Sequence, residues 1–402
     1  IAIKKLIVNK NMKHYNFDEV IERHGTSCVK FDRLKEMFGN ENLIPLWVAD
    51  MDFRTPDFIV EALKKRCEHE IFGYTFGSDE YYESIINWVH YKHNWKIQRE
   101  WISYIPGIVK GIAFAIQCFT QKGDKVIIQP PVYHPFRIVP EKMKREVVYN
   151  PLKMVDGVYE MDFDHLESII DDKCKVLILC NPHNPGGVVW THEELEAIAN
   201  ICAEDNVIVF SDEIHADLTL PPHHHVPFAM ISERAKNNSV TFMAPSKAFN
   251  MPGVAASHAI IYNEGLRKRF TTYMESCEFG GGHVFAFPAV EAAYSNGTEW
   301  LEQCLAYIQG NIDYLDEYLK KKMPKIKAIR PMASYLVWLD CRELGMSQQA
   351  LEDFFVSGAH LALNNGETFG KEGIGFMRMN VGCTRAVLEQ ALKQLEEAYR
   401  RL

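Results

Sequence analysis

Lys247 sits in SKAFNMPG (Ser246–Gly253), immediately after an apolar run, SVTFMAP, that begins at Ser239. A lysine just past a buried strand and followed by apolar residues can be desolvated. Desolvation lowers its pKa and frees a neutral amine for Schiff-base chemistry, although a single lysine is more often a solvated surface charge. Asp212, in SDEIHADL (Ser211–Leu218), ends a second apolar run. A carboxylate buried there needs a cation, such as a protonated ring nitrogen; its competing use is to cap a helix. NPHNPGG (Asn181–Gly187) closes a third run, and its Asn-Pro repeats impose a tight turn whose amide side chains can point inward. PGIVKGI (Pro106–Ile112) can open a helix whose free N–H groups bind a phosphate. It is not GxGxxG, so the nicotinamide and flavin fingerprint is missing. The consecutive histidines His223, His224 and His225 follow Pro221-Pro222. Neighbouring side chains do not converge on one metal ion without an unusual loop, so a solvated surface turn is expected there and no metal site.

These segments need strands to carry them. KVIIQP (Lys125–Pro130), KVLILCN (Lys175–Asn181), VIVFSDE (Val207–Glu213) and SVTFMAP are short runs, apolar on both faces, each ending in a polar or turn residue. That pattern fits buried strands of a mostly parallel sheet. Between two of them, THEELEAIANICAEDN (Thr191–Asn206) has helical periodicity, with Thr191 and Glu194 spaced as a capping box. Alternating strand and helix imply an α/β domain with helices on both faces and ligands at the C-terminal strand ends. Further on come a long helical pattern from about Trp300 to Lys322, two strand-like runs, SYLVWLD (Ser334–Asp340) and GFMRMNVG (Gly375–Gly382), and a last amphipathic helix from about Arg385. This reads as a smaller α+β domain, completed by the N-terminal segment.

The 402 residues suit two domains. A composition of 47% hydrophobic and 24% charged residues supplies a sizeable core, and a net charge of −9 argues against nucleic acid or a membrane surface as partner. None of the 10 cysteines is arranged as C-x-x-C, so buried free thiols in a reducing cytosol are expected. No apolar run approaches the ~18 residues of a membrane span. The opening IAIKKLIVNKN lacks the apolar block and cleavage site of a signal peptide, and Met12 is a candidate natural start. A cytoplasmic protein acting on a small molecule is expected.

In order and spacing these segments resemble the fold-type-I pyridoxal-phosphate enzymes over nearly the whole chain. Within them, the likeness is to the maltose-regulon modulator / cystathionine β-lyase (C–S lyase) branch of the class I and II aminotransferase family. It is carried by ERHGT (Glu22–Thr26), PLWVADMDF (Pro45–Phe53), FGYT (Phe72–Thr75), SDEIHADL, SKAFNMPG and MRMNVGCTR (Met377–Arg385). The resemblance implies an aspartate-aminotransferase-like fold. Residues 1–60 would join the small domain, 61–292 would form the large cofactor-binding domain and 293–402 the small C-terminal domain. It also implies pyridoxal 5′-phosphate, held as a Schiff base by Lys247, which acts as general base at the substrate α-carbon. Asp212 would keep the pyridine nitrogen protonated, Tyr133 would stack on the ring, and Asn184 would bond its phenolic oxygen. His215 would bond that same oxygen or support Asp212. The backbone of Ile108 and Val109, the Ser246 hydroxyl and Tyr74 from a second subunit would hold the phosphate, and Arg378 would grip the substrate carboxylate. A homodimer with shared sites follows.

Two positions depart from the wider family. Many of its aminotransferases carry an arginine eight residues after the Schiff-base lysine, where this chain has Ala255; the C–S lyase branch also tends to lack it. A serine is common three residues before the lysine, where this chain has Ala244. The expected reaction is β-elimination from an S-substituted cysteine such as cystathionine, giving pyruvate, ammonia and a thiol. An aminotransferase using the same residues is the alternative, and a regulatory binding protein with a vestigial site is a third.

Overall fold

The computed structural model describes residues 13–279 and 281–402, so the opening stretch and Met12 lie outside the described residues. Seven strands make the large sheet: β1 (Ile102–Ile105), β2 (Lys125–Ile128), β3 (Glu146–Tyr149), β4 (Cys174–Cys180), β5 (Ile208–Asp212), β6 (Ser239–Met243) and β7 (Ser257–Ile260). Their spatial order is β1-β7-β6-β5-β4-β2-β3. The pairs β6-β5, β5-β4, β4-β2 and β2-β3 are parallel, whereas β7 runs antiparallel to both its neighbours. Four of these strands are the apolar runs picked out above.

Seven helices matter for the site or its support: α1 (Asp57–Glu68), α2 (Asp79–His93), α3 (Ile108–Phe119), α4 (His192–Glu204), α5 (Ala286–Asn296), α6 (Thr298–Lys322) and α7 (Arg385–Tyr399). The sheet is covered on both faces because each central strand is apolar on both. Val126, Val176, Phe210 and Val240 pack with Ile108, Ile112 and Ile116 of α3. Ile127, Leu177 and Val209 face the other way, toward Leu195, Ile198 and Cys202 of α4. Each such side chain stabilises the fold by ~1.5–3 kcal/mol on burial. Helix α4 begins with the expected capping box. Glu194 N donates to Thr191 Oγ1 at 3.2 Å, and Thr191 N donates to Glu194 Oε2 at 2.8 Å.

A second, antiparallel sheet contains β8 (Lys327–Ile329), β9 (Leu336–Asp340), β10 (Asn364–Asn365) and β11 (Phe376–Asn380), in the order β8-β9-β11-β10. Helices α6 and α7 pack on each other beside it. The N-terminal segment joins this half of the molecule through a short parallel pairing of Ile44–Pro45 with Leu361–Ala362. Trp338, fully buried in β9, stacks on Phe376 and donates its indole N–H to Tyr159 Oη at 3.1 Å, which fastens the small sheet to the large-sheet half.

Two expectations need correction. The histidine run is not wholly a solvated turn: His225 is buried and hydrogen-bonds Glu213 Oε2 at 2.8 Å, while His223 and His224 are exposed. Glu213 Oε1 also accepts from Ser211 Oγ and Phe228 N, so a long-range carboxylate recruits one histidine of the three. The ten thiols are free, but Cys67 and Cys277 are exposed and Cys28 and Cys118 only partly covered. Among the described residues no helix is long and apolar enough to cross a membrane.

Candidate active site

The C-terminal ends of the parallel strands open into one cleft of about 320 Å³. The segment after β1 lines one end of it. In α3 the first intrahelical bond is Gly111 N–H to the Gly107 carbonyl, so the N–H groups of Ile108, Val109 and Lys110 have no helical partner. Gly107 takes φ 122°, a backbone conformation that side-chain-bearing residues disfavour, and no atom lies within 4 Å of where its Cβ would be. The Ser246 side chain borders the same cleft.

Asp212 ends β5 at the cleft floor and is 4% exposed. Its Oδ1 accepts from Ile214 N at 3.1 Å, a local turn bond that answers part of the capping alternative. Burial, aided by the Glu213 charge, pushes its carboxyl up to about 7, against the pull of Ile214 N–H and Lys247. Such a carboxylate gains much from a cationic partner. Lys247, past the end of β6, is pushed down to about 8 by burial and by Arg378, with Asp50 and Asp212 opposing. Its Nζ donates to the Ala49 carbonyl, which also accepts from Tyr335 Oη at 3.1 Å.

Tyr133, Asn184 and His215 complete the walls. Burial first, then Lys247 and Arg378, drive His215 down to about 3, so its ring is neutral at pH 7. Its Nδ1 is buried without a partner among the described residues, and no hydrogen bond joins it to Asp212. Arg378 projects from β11 to the edge of this group. It is 5% exposed and donates to Asn184 Oδ1 at 3.0 Å, to the Trp47 carbonyl at 3.1 Å and to Asn364 Oδ1. Its face lies over the Phe369 ring at 4.9 Å. No carboxylate pairs with it among the described residues, its Nε is buried without a partner, and burial lowers it to about 10. A guanidinium held only by neutral acceptors keeps its charge for an incoming carboxylate.

Of the residues singled out in the sequence, Lys247, Asp212, Asn184, Tyr133 and His215 therefore share one cleft with Ser246, Ile108 and Val109, and Arg378 adjoins it. Tyr74 does not: it is fully exposed and lines no part of the cleft of its own chain. Ala255 lines the cleft with φ 52°, and its carbonyl accepts from Tyr104 Oη. Reading residue types missed Trp47, Ala49, Tyr335 and Asn364. They act through backbone carbonyls or sit far off in sequence, and only the PLWVADMDF segment carried any signal.

Free helix N–H groups and a hydroxyl at one end, a proton-seeking buried carboxylate at the floor, an aromatic wall and a desolvated lysine suit pyridoxal 5′-phosphate. Each part has its match in the phosphate, the pyridine nitrogen, the ring and the aldehyde. Comparison with known proteins agrees. The chain is 43% identical to cystathionine beta-lyase PatB of Bacillus subtilis, over 95% of this chain and 99% of that one. The crystal structure of cystalysin from Treponema denticola, which contains a pyridoxal 5′-phosphate cofactor, superposes with a TM-score of 0.94 at 34% identity, covering 97% of this chain and 100% of that one. The PLP-bound C–S lyase from Staphylococcus hominis gives 0.89 at 34% identity, covering 96% and 98%. Since the family model for aminotransferase class I and II also matches residues 41–395, spanning both sheets and every residue of the cleft, the chain belongs to that family.

Proposed function

We propose that the protein is a pyridoxal-phosphate-dependent carbon–sulfur β-lyase. It cleaves cystathionine or a related S-substituted cysteine to pyruvate, ammonia and a thiol. The observation that carries the reading is the approach of a desolvated lysine, a proton-seeking carboxylate and an unpaired buried arginine around one cleft. Likeness to a cystathionine β-lyase and to C–S lyases supports the choice of branch.

When bound, the cofactor supplies an electron sink for negative charge at the substrate α-carbon. Asp212, whose burial makes it hold a proton tightly, takes the ring-nitrogen hydrogen bond and keeps that proton in place. Lys247, whose amine burial makes easier to deprotonate, removes the α-proton. Arg378, held only by neutral acceptors, binds the α-carboxylate and so orients the substrate α-carbon toward Lys247. Tyr133 covers the ring face, Asn184 and His215 face the phenolic oxygen, and the N–H groups of Ile108 and Val109 with Ser246 hold the phosphate. Tyr74 reaches the phosphate of a neighbouring subunit, which makes the enzyme a homodimer; the exposed Ile71, Phe72 and Phe76 beside it support that assembly. We place it in the cytoplasm.

The test is product analysis with cystathionine and no 2-oxo acid. Pyruvate, ammonia and homocysteine should accumulate over many turnovers. An aminotransferase would stop after one turnover with the cofactor converted to its amine form, and that outcome would sink the lyase reading. Barriers differing by ~1.4 kcal/mol already divide the two courses tenfold.

A further inference from the structure

Two segments to which the chemistry above gives no catalytic role, ERHGT with the following residues to Lys30 and the acidic pair of PLWVADMDF, meet in one cluster. Arg23 Nη1 lies 2.6 Å from Asp52 Oδ1, and its Nη2 lies 2.8 Å from Asp50 Oδ2. Lys30 Nζ lies 2.9 Å from both oxygens of Asp52. The Lys30 side chain is 0% exposed, and those of Asp52, Asp50 and Arg23 are 12%, 15% and 20%. Two cations and two carboxylates thus form a neutral, largely buried box. Burying such a set costs most of what its attraction returns, so stability alone is a weak reason for it.

The box grips a strap, residues 47–52, whose other face is turned to the site. Four consecutive carbonyls are taken up there. Trp47 O accepts from Arg378, Val48 O and Asp50 O from Asn380 Nδ2 at 2.7 and 2.6 Å, and Ala49 O from Lys247 and Tyr335. Lys30 fastens both ends. Its side chain holds Asp52, and its carbonyl accepts the Trp47 indole N–H at 3.0 Å. The strap's own amides are tied as well, Met51 N to Asn250 Oδ1 at 2.9 Å and Asp52 N to Gly382 O at 2.8 Å. A shift of the strap would move the acceptors of Lys247 and Arg378 together.

We infer that Arg23 and Lys30 are positioning residues: through Asp50 and Asp52 they set the strap, and the strap sets Arg378 and Lys247 for the substrate's carboxylate and α-carbon. The inference rests on the roles given above to Arg378 and Lys247.

The test uses the cofactor-loaded protein and a 2-methyl amino acid. This probe has an α-carboxylate but no α-proton, so its binding, read from the cofactor absorbance, does not depend on which reaction follows. Lys30→Met and the milder Arg23→Lys should weaken probe binding roughly ten- to a hundredfold, the scale of a displacement of about 1 Å. They should speed amide hydrogen exchange in 46–53 and leave the absorbance of the probe-free protein unchanged. Arg33→Ala, which breaks an exposed pair with Glu36 nearby, should match wild type. If melting temperature falls while probe affinity and exchange in 46–53 stay at wild-type values, the box is structural only and the inference is overturned. An equal loss in Arg33→Ala overturns it too. Should Lys30→Met not fold, Arg23→Lys decides. Probe binding by a wild-type protein that does not turn cystathionine over would count against the lyase reading and leave this inference standing, whereas no probe binding in wild type removes both.

Discussion

Arg378 Nη1 donates to Asn184 Oδ1 at 3.0 Å across 194 positions of sequence, joining a strand of the small sheet to the turn that follows β4 of the large one. The contact aligns the guanidinium through a neutral acceptor and leaves it without a carboxylate partner among the described residues. Whatever binds that guanidinium is read by both halves of the molecule.

Arg378→Lys should therefore damage substrate handling without harming the cofactor site. A lysine keeps the charge but cannot present two parallel N–H groups while also meeting Asn184, Trp47 and Asn364. KM should rise and kcat fall, with kcat/KM lowered by about 2–4 kcal/mol in activation terms, the range for losing a buried charged hydrogen-bond pair. The absorbance of the loaded protein should be unchanged. Steady-state kinetics beside a spectrum checks both halves, and unaltered kinetics would move the carboxylate site elsewhere.

Lys247 gives a pH signature before any substrate is added. Its amine is lowered to about 8 by burial, so the neutral, nucleophilic form grows as pH rises and is complete not far above 8. Attachment of pyridoxal 5′-phosphate to cofactor-free protein should accelerate up to about pH 8 and then level off. An unshifted lysine would keep accelerating toward ~10.4. Borohydride should then fix the cofactor irreversibly on Lys247, and Lys247→Ala should lose both the fixation and the turnover. Covalent fixation surviving in that variant would mean that another residue carries the group.

How far local reading reached can be seen residue by residue. Strands β2, β4, β5 and β6 were legible because each is a short run apolar on both faces, and the chemistry-bearing residues follow them directly. Antiparallel β7, SHAI, was not, since strand direction leaves no mark on composition. His225 was misread because its partner, Glu213, lies on another element and the adjoining Pro-Pro-His-His does face solvent. The charge box escaped for the same reason: Arg23 and Lys30 meet Asp50 and Asp52 only when folding brings the two segments together. Backbone acceptors such as the Ala49 carbonyl are invisible to any reading of side-chain types.

His258, in β7, should make the fold acid-sensitive. It is fully buried with neither ring nitrogen partnered among the described residues, and burial lowers it to about 4, against a small upward pull from Asp217. The unfolded chain protonates this histidine near 6.5, so between 6.5 and 4 the unfolded state binds more protons and stability falls as pH falls. The contribution present above pH 6.5 is eroded by about 2 kcal/mol at pH 5. His258→Leu removes the titration. Its melting temperature, taken relative to wild type, should rise steadily as pH drops from 7.5 to 5, and parallel curves would refute the assignment.

Tyr74 is fully exposed in its own chain, between the exposed Phe72 and Phe76, and touches nothing in the cleft it is proposed to serve. Large aromatic side chains grouped in the open are better explained by a partner surface than by solvent. If each site takes Lys247 from one subunit and Tyr74 from the other, both Lys247→Ala and Tyr74→Phe homodimers are defective at every site. A hybrid of the two has one site with both defects and one with neither. Equal mixing after subunit exchange makes half the dimers hybrid, so activity should recover to about a quarter of wild type, above the mean of the two parents. Sedimentation of the wild type should show a dimer at the concentrations assayed. A fully active monomer, or a mixture no better than its parents despite proven exchange, would place Tyr74 outside the site and leave the phosphate to Ser246 and the N–H groups of Ile108 and Val109.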